Sequence, residues 1–172
     1  MQIRDRIIEF RRVPAGELQP DPRNWRTHPK AQQDALRGVL ADIGYAGAVL
    51  ARRTAEGGLM LIDGHLRTET DPAGMIPTLV LDVDEVEAGK LLATFDPLAA
   101  MAEADGKKLD ALLQDVEINN EAVQAMLAAL AEEAGIVPPD QPDAPESFPV
   151  VDENIDVEHS CPKCGYQWSG GQ

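Results

Sequence analysis

Apolar residues change their spacing several times along the chain, and each change marks an element. Gln2 to Val13 reads as a strand, or as an arm followed by one. From Ala31 to Asp42 the spacing becomes helical, with Leu36, Val39, Leu40 and Ile43 on one face. The turn Gly44-Tyr45-Ala46-Gly47 then leads into a strand from Ala48 to Arg53, a hairpin at Glu56-Gly57-Gly58 and a second strand from Leu59 to Ile62. Ile76 to Val83 predicts another strand, with Pro77 near its start, where a missing donor is tolerated. Asp84 reads as the N-cap of a helix over Glu85 to Thr94 that buries Val86, Leu91 and Leu92. Two alanine- and leucine-rich helices follow, Lys107 to Val116 and Asn120 to Ala134, whose Leu109, Leu112, Leu113, Val123, Met126, Leu127 and Leu130 pack on the domain or on a partner. The class expected is α+β, a small mixed sheet flanked by helices. Its parts are a domain over 1–97, a helical extension over 98–136, a proline-rich acidic linker over 137–158 and a Cys-x-x-Cys tail over 159–172.

Charge narrows the partners. The net charge is −15, but its distribution is uneven: up to Arg53 there are ten Lys or Arg against six acids, and beyond it five against twenty-four. Such a field repels a duplex backbone from most of the molecule, so duplex DNA binding by this chain alone is not expected. The basic first third can receive a nucleotide or a short single strand, with Trp25 between Arg23 and Arg26 as a stacking face or as a cap on the core. No run of eighteen apolar residues occurs, and Met1 to Arg6 lacks a secretory core, so a cytoplasmic location and no membrane partner are expected.

The chemistry concentrates at Leu59-Met60-Leu61-Ile62-Asp63-Gly64-His65-Leu66-Arg67, an apolar strand running into a glycine and an arginine. A glycine lets backbone N–H groups approach an anion, and Arg67 offers a charged fork of donors. Gly64, His65, Leu66 and Arg67, with Arg23 and Arg26, are therefore candidate phosphate contacts. His65 can donate to a phosphate, act as acid or base, or only close the turn; Asp63 can hold a divalent cation or orient Arg67. His28 lies in the polar, proline-punctuated loop from Leu18 to Pro29. After Arg67 there is room for barely one helical turn before Pro72. At the far end, Cys161-Pro162-Lys163-Cys164-Gly165 is half of a zinc ribbon, with His159 as a third ligand; structural zinc wants four, so another chain, a carboxylate or a distant histidine must complete the site, or it stays empty. Two cysteines suit a reducing compartment better than a disulfide scaffold.

Over about residues 7 to 115 the chain resembles the N-terminal domain of the ParB family, which shares its fold with sulfiredoxin. Asp21-Pro22, Ile43-Gly44, Ala48-Val49-Leu50 and Gly64-His65-Leu66-Arg67 stand where that family has its "NP" loop, its helix end, "P-I-x-V" and "G-E-R-R". The form Asp63-Gly64-His65-Leu66-Arg67, with Asp96 to Asp105 downstream, is closer to ParB-type domains of phage proteins and of proteins beside DNA-modification methylases. The resemblance implies binding of a nucleoside triphosphate with Mg2+, with CTPase or ATPase activity in such relatives, and leaves self-association open. His65 replaces the cysteine that sulfiredoxin chemistry needs, and also the glutamate that ParB uses near the triphosphate. The expectation is nucleotide binding with little turnover, in phage or mobile-element DNA metabolism. Two other readings stand beside it: a non-catalytic adaptor docking a DNA-modifying or DNA-packaging partner, and a metal-dependent nuclease or small-molecule kinase on the same fold.

Overall fold

A computed structural model describes residues 2–136 and 159–168. The chain divides into two compact units, Met1–Val137 and Pro138–Gln172. In the first, the strands are β1 (Ile7–Pro14), β2 (Leu18–Gln19), β3 (Val49–Arg53), β4 (Leu59–Asp63) and β5 (Met75–Leu81). The helices are α1 (Lys30–Asp42), α2 (His65–Thr70), α3 (Glu85–Ala100), α4 (Gly106–Asp115) and α5 (Glu121–Glu133).

The strands form one mixed sheet in the order β1-β5-β3-β4-β2. β1 runs antiparallel to β5, β3 is parallel to β5 and antiparallel to β4, and β2 is parallel to β4. Alternation along the strands sends Val13, Val49, Ala51, Leu61, Ile76 and Val80 into one core. Leu81 and Ile62 join a second cluster with Ala88 and Leu92 of α3. The expected α+β class is therefore present. β2 lies within a stretch that reads as loop, and two residues are too few to show a period.

β1 is an edge strand with a bulge between Ile7 and Glu9, and it leaves Ile8 and Phe10 more than half exposed. α3 opens with a capping box: the Asp84 carboxylate accepts from the Glu87 amide at 2.8 Å, and the Asp84 amide donates to the Glu87 carboxylate at 3.1 Å. The helix does not stop at Thr94; it continues through Pro97 to Ala100. It therefore crosses the boundary expected at 97/98.

Small residues of α1 decide how the extension packs. Ala35 and Gly38 are its buried positions, whereas Ile43 is exposed. A Cβ on Gly38 would lie 2.5 Å from the Asn120 side chain and 2.8 Å from Val123, so glycine lets α5 approach closely. Asn120 caps α5 by accepting the Val123 amide, and Val123 is buried. Within the first unit α5 thus packs on α1. Burial of the final helices is thin: α4 has no buried residue, and Leu112, Met126 and Leu130 stay exposed. Val86, expected in the core, also faces outward. No helix among the described residues is long and apolar enough to cross a membrane. The expected linker over 137–158 lies outside the described residues.

In the second unit, β6 (His159–Ser160) pairs antiparallel with β7 (Gln167–Trp168) around the Cys-x-x-Cys turn.

Candidate functional site

The site grows from the bend after β4. Gly64 has φ +94°, and a Cβ there would lie 2.4 Å from Val49 Cγ1. Both the left-handed backbone and the close approach require glycine. Gly64 caps α2, which ends at Thr70 just before Asp71-Pro72, so its dipole is small. His65 turns inward and is buried, and its Nε2 accepts the Asp21 backbone N–H at 3.3 Å. Burial lowers its pKa from the ordinary 6.5, against weaker upward pulls from Glu69, Asp63 and Asp21. The ring is neutral at pH 7 and pins the bend to the Asp21 loop. With Nε2 engaged, the proton of the neutral ring is assigned to Nδ1. Leu66 is buried as well. Arg67 is held only loosely: its Nη1 lies 3.4 Å from the Ala48 carbonyl and 3.9 Å from an Asp63 oxygen.

These residues open onto a cavity of about 340 Å3. Asp63 to Arg67 form one wall, and Asn24, Arg26 and His28 form the facing loop. Leu36, Val39, Leu92 and Met126 give it an apolar side, drawn from α1, α3 and α5. Arg26 is ion-paired with Asp96 and lies 5.7 Å from the Trp25 ring centroid. Trp25 is exposed and donates its indole N–H to the Leu92 carbonyl at 3.2 Å, so it is tethered to α3 and leaves much of its ring open. His28 Nδ1 lies 3.0 Å from the Gln32 amide oxygen.

Arg23, expected among the phosphate contacts, does not line this cavity. Its guanidinium donates to Asp21 at 2.7 and 3.0 Å and to the Glu85 carbonyl at 3.2 Å. Asp21 is buried, and its carboxyl is held below the usual carboxylate range, first by the Arg23 hydrogen bond. This pair orders the loop. The cavity thus joins Asp63, Gly64, His65, Leu66, Arg67 and Arg26, and leaves Arg23 outside. Asp21, Asp96 and Met126 are the contributors that sequence reasoning missed. Only Asp21 carried a readable sign, an acid before proline and two residues from an arginine in a loop.

The arrangement can hold an anion at Arg67 and the Gly64 bend, with an attached flat or apolar body against the α1, α3 and α5 side chains. Cavities of a few hundred Å3 with an apolar lining and few polar groups are where small ligands sit. The two carboxylates of the cavity face arginines, Asp63 across from Arg67 and Asp96 bound to Arg26.

The expected three-ligand metal set is not assembled. Among the described residues no group of three or more His, Cys, Asp or Glu is placed to hold a metal. His159 is paired with Trp168 across the β6-β7 ladder, the ring centroids 5.6 Å apart. Cys161 and Cys164 remain as a pair of free thiols.

No protein-family model and no curated protein matches the chain. Solved structures do. A C-terminally truncated chromosome-partitioning protein ParB from Caulobacter crescentus, complexed with CTP-gamma-S, is similar at TM-score 0.54 and 16% identity over 74% of this chain and 88% of that one. A second structure of truncated ParB from the same organism, complexed to the centromeric parS site, aligns at TM-score 0.43 and 15% identity over 73% of this chain and 68% of that one. At such identity the first likeness is one of fold. The sheet and its helices have the ParB-like fold.

Proposed function

We propose that the first unit is a ParB-like nucleotide-binding domain, in which Arg67 and the backbone of the Gly64 bend contact the phosphates of a Mg2+-bound nucleoside triphosphate. One observation carries this reading: the most loosely engaged guanidinium of the site and its one obligatory glycine open onto the same 340 Å3 cavity. The ParB neighbour solved with CTP-gamma-S lends support through its fold. Arg26 is a latent second contact, because Asp96 occupies it. Turnover is slow on this reading: His65 stands where the resembled family has a glutamate, and it is buried with Nε2 accepting an amide. A role in phage or mobile-element DNA metabolism rests on the Asp63-Gly64-His65-Leu66-Arg67 variant with Asp96 to Asp105 downstream.

Titration of the full chain with ATP, CTP, GTP and ADP, with and without Mg2+, tests the proposal. Saturable binding of micromolar strength or weaker, reduced about tenfold to a hundredfold in Arg67→Ala and accompanied by little hydrolysis, is expected. Absence of binding by every nucleotide overturns it and leaves the adaptor reading, which the exposed Leu98, Met101 and Leu112 favour.

A further inference from the structure

We propose that the tail is half of a metal site completed by the same half of a second copy: Cys161 and Cys164 of two chains together hold one Zn2+. The turn is already shaped to present two sulfurs. The Cys161 amide donates to the Tyr166 carbonyl at 2.8 Å, and the Gly165 amide donates to the Cys161 carbonyl at 2.9 Å. Gly165 supplies the left-handed residue that this bend needs, at φ +72°. Cys161 and Cys164 flank this bend as free thiols. Behind them the β6-β7 ladder fixes the ends of the loop.

Structural zinc takes four ligands in a tetrahedron and favours sulfur. The whole sequence contains two cysteines, and among the described residues no further donor joins them. A second knuckle brings the missing pair with the same geometry, related by a two-fold axis through the metal. Two further observations fit that occupant. Tyr166 and Trp168 stack at 6.2 Å on the tail and are 69% and 43% exposed, a small apolar surface that a second knuckle would cover. Charge also balances. Four thiols release four protons on binding Zn2+, which leaves two negative charges, and the exposed Lys163 of each copy offsets one of them. The cavity of the first unit has no part in this proposal.

The test uses the full chain under reducing conditions, with zinc measured by elemental analysis and mass by light scattering. About one zinc per two chains is expected, with the mass doubling on addition of Zn2+ and returning to the monomer with EDTA. Co2+ in place of zinc should give the intense sulfur-to-cobalt absorption of a four-thiolate site. Cys161→Ser and Cys164→Ser should each stay monomeric at every zinc level and bind zinc at least about tenfold more weakly. One zinc per monomer overturns the proposal, because the chain would then complete its own site. A mass that does not respond to zinc, or a dimer that survives EDTA, overturns it as well.

Discussion

The two walls of the cavity begin from similar residues and end in different states. The β4-α2 wall has a glycine bend and one arginine, and the arginine is loosely held. The facing loop has two arginines, and both are engaged by acids, Arg23 by Asp21 and Arg26 by Asp96. The bend needs no ion pair because the sheet fixes it: Gly64 packs on Val49, and His65 is buried beneath it. The loop has little apolar content of its own, so carboxylates must order it. Cations counted along a sequence are therefore not cations available to a ligand. The wall with fewer charges is the one that leaves its arginine loosely held.

The comparison breaks most severely at Gly64. Gly64→Ala places a Cβ against Val49 in a left-handed residue, and a loss of about 2–4 kcal/mol in urea denaturation is expected. An unchanged midpoint would show that the bend relaxes easily and is not the rigid wall described. Next in size is Arg67→Ala, with nucleotide affinity falling about tenfold to a hundredfold, the worth of a charge-assisted hydrogen bond. Its thermal midpoint should stay near that of the parent chain, since the side chain makes only long contacts. Equal losses in affinity and stability would mean that Arg67 is structural. Asp96→Asn works in the opposite sense. Releasing Arg26 should tighten nucleotide binding about two- to fivefold by calorimetry, and weaker binding would show that the pair positions the loop productively.

The smallest effect is a pH dependence. His65 has its pKa lowered by burial, so the unfolded chain binds a proton between that lower value and the ordinary 6.5 which the folded chain refuses. Stability from this group is complete above the ordinary value and is lost as pH falls through the folded one. The urea midpoint should drop as pH falls below the ordinary 6.5, and His65→Gln should flatten that slope; an identical slope in the variant would assign it elsewhere.

The sheet, the bend and most helix starts were legible because each has a local cause. Asp84 announces α3 through its side chain, and Gly64 announces the bend through its missing Cβ. What stayed hidden depends on contacts between distant segments. The close approach of α5 at Gly38 needs Asn120 and Val123 from far along the chain. Nothing near Arg26 in sequence indicates that Asp96 will hold it. The expected helix ended at Thr94, yet α3 carries Pro97 near its C-terminal end and runs on to Ala100. The site was thus half readable: its glycine and Arg67 from local pattern, its apolar side and the engagement of its other arginines only from packing.

The edge strand β1 has a consequence for handling the protein. Among the described residues nothing pairs with its outer side, so a row of backbone donors and acceptors lies open beside exposed Ile8 and Phe10, a template on which another extended chain can add. The bulge at Ile7/Glu9 interrupts that template, and Glu9, Arg11 and Arg12 set charges along it. Protection by charge fades as ions shorten its reach, so concentrated salt is the condition under which this molecule is most exposed to aggregation.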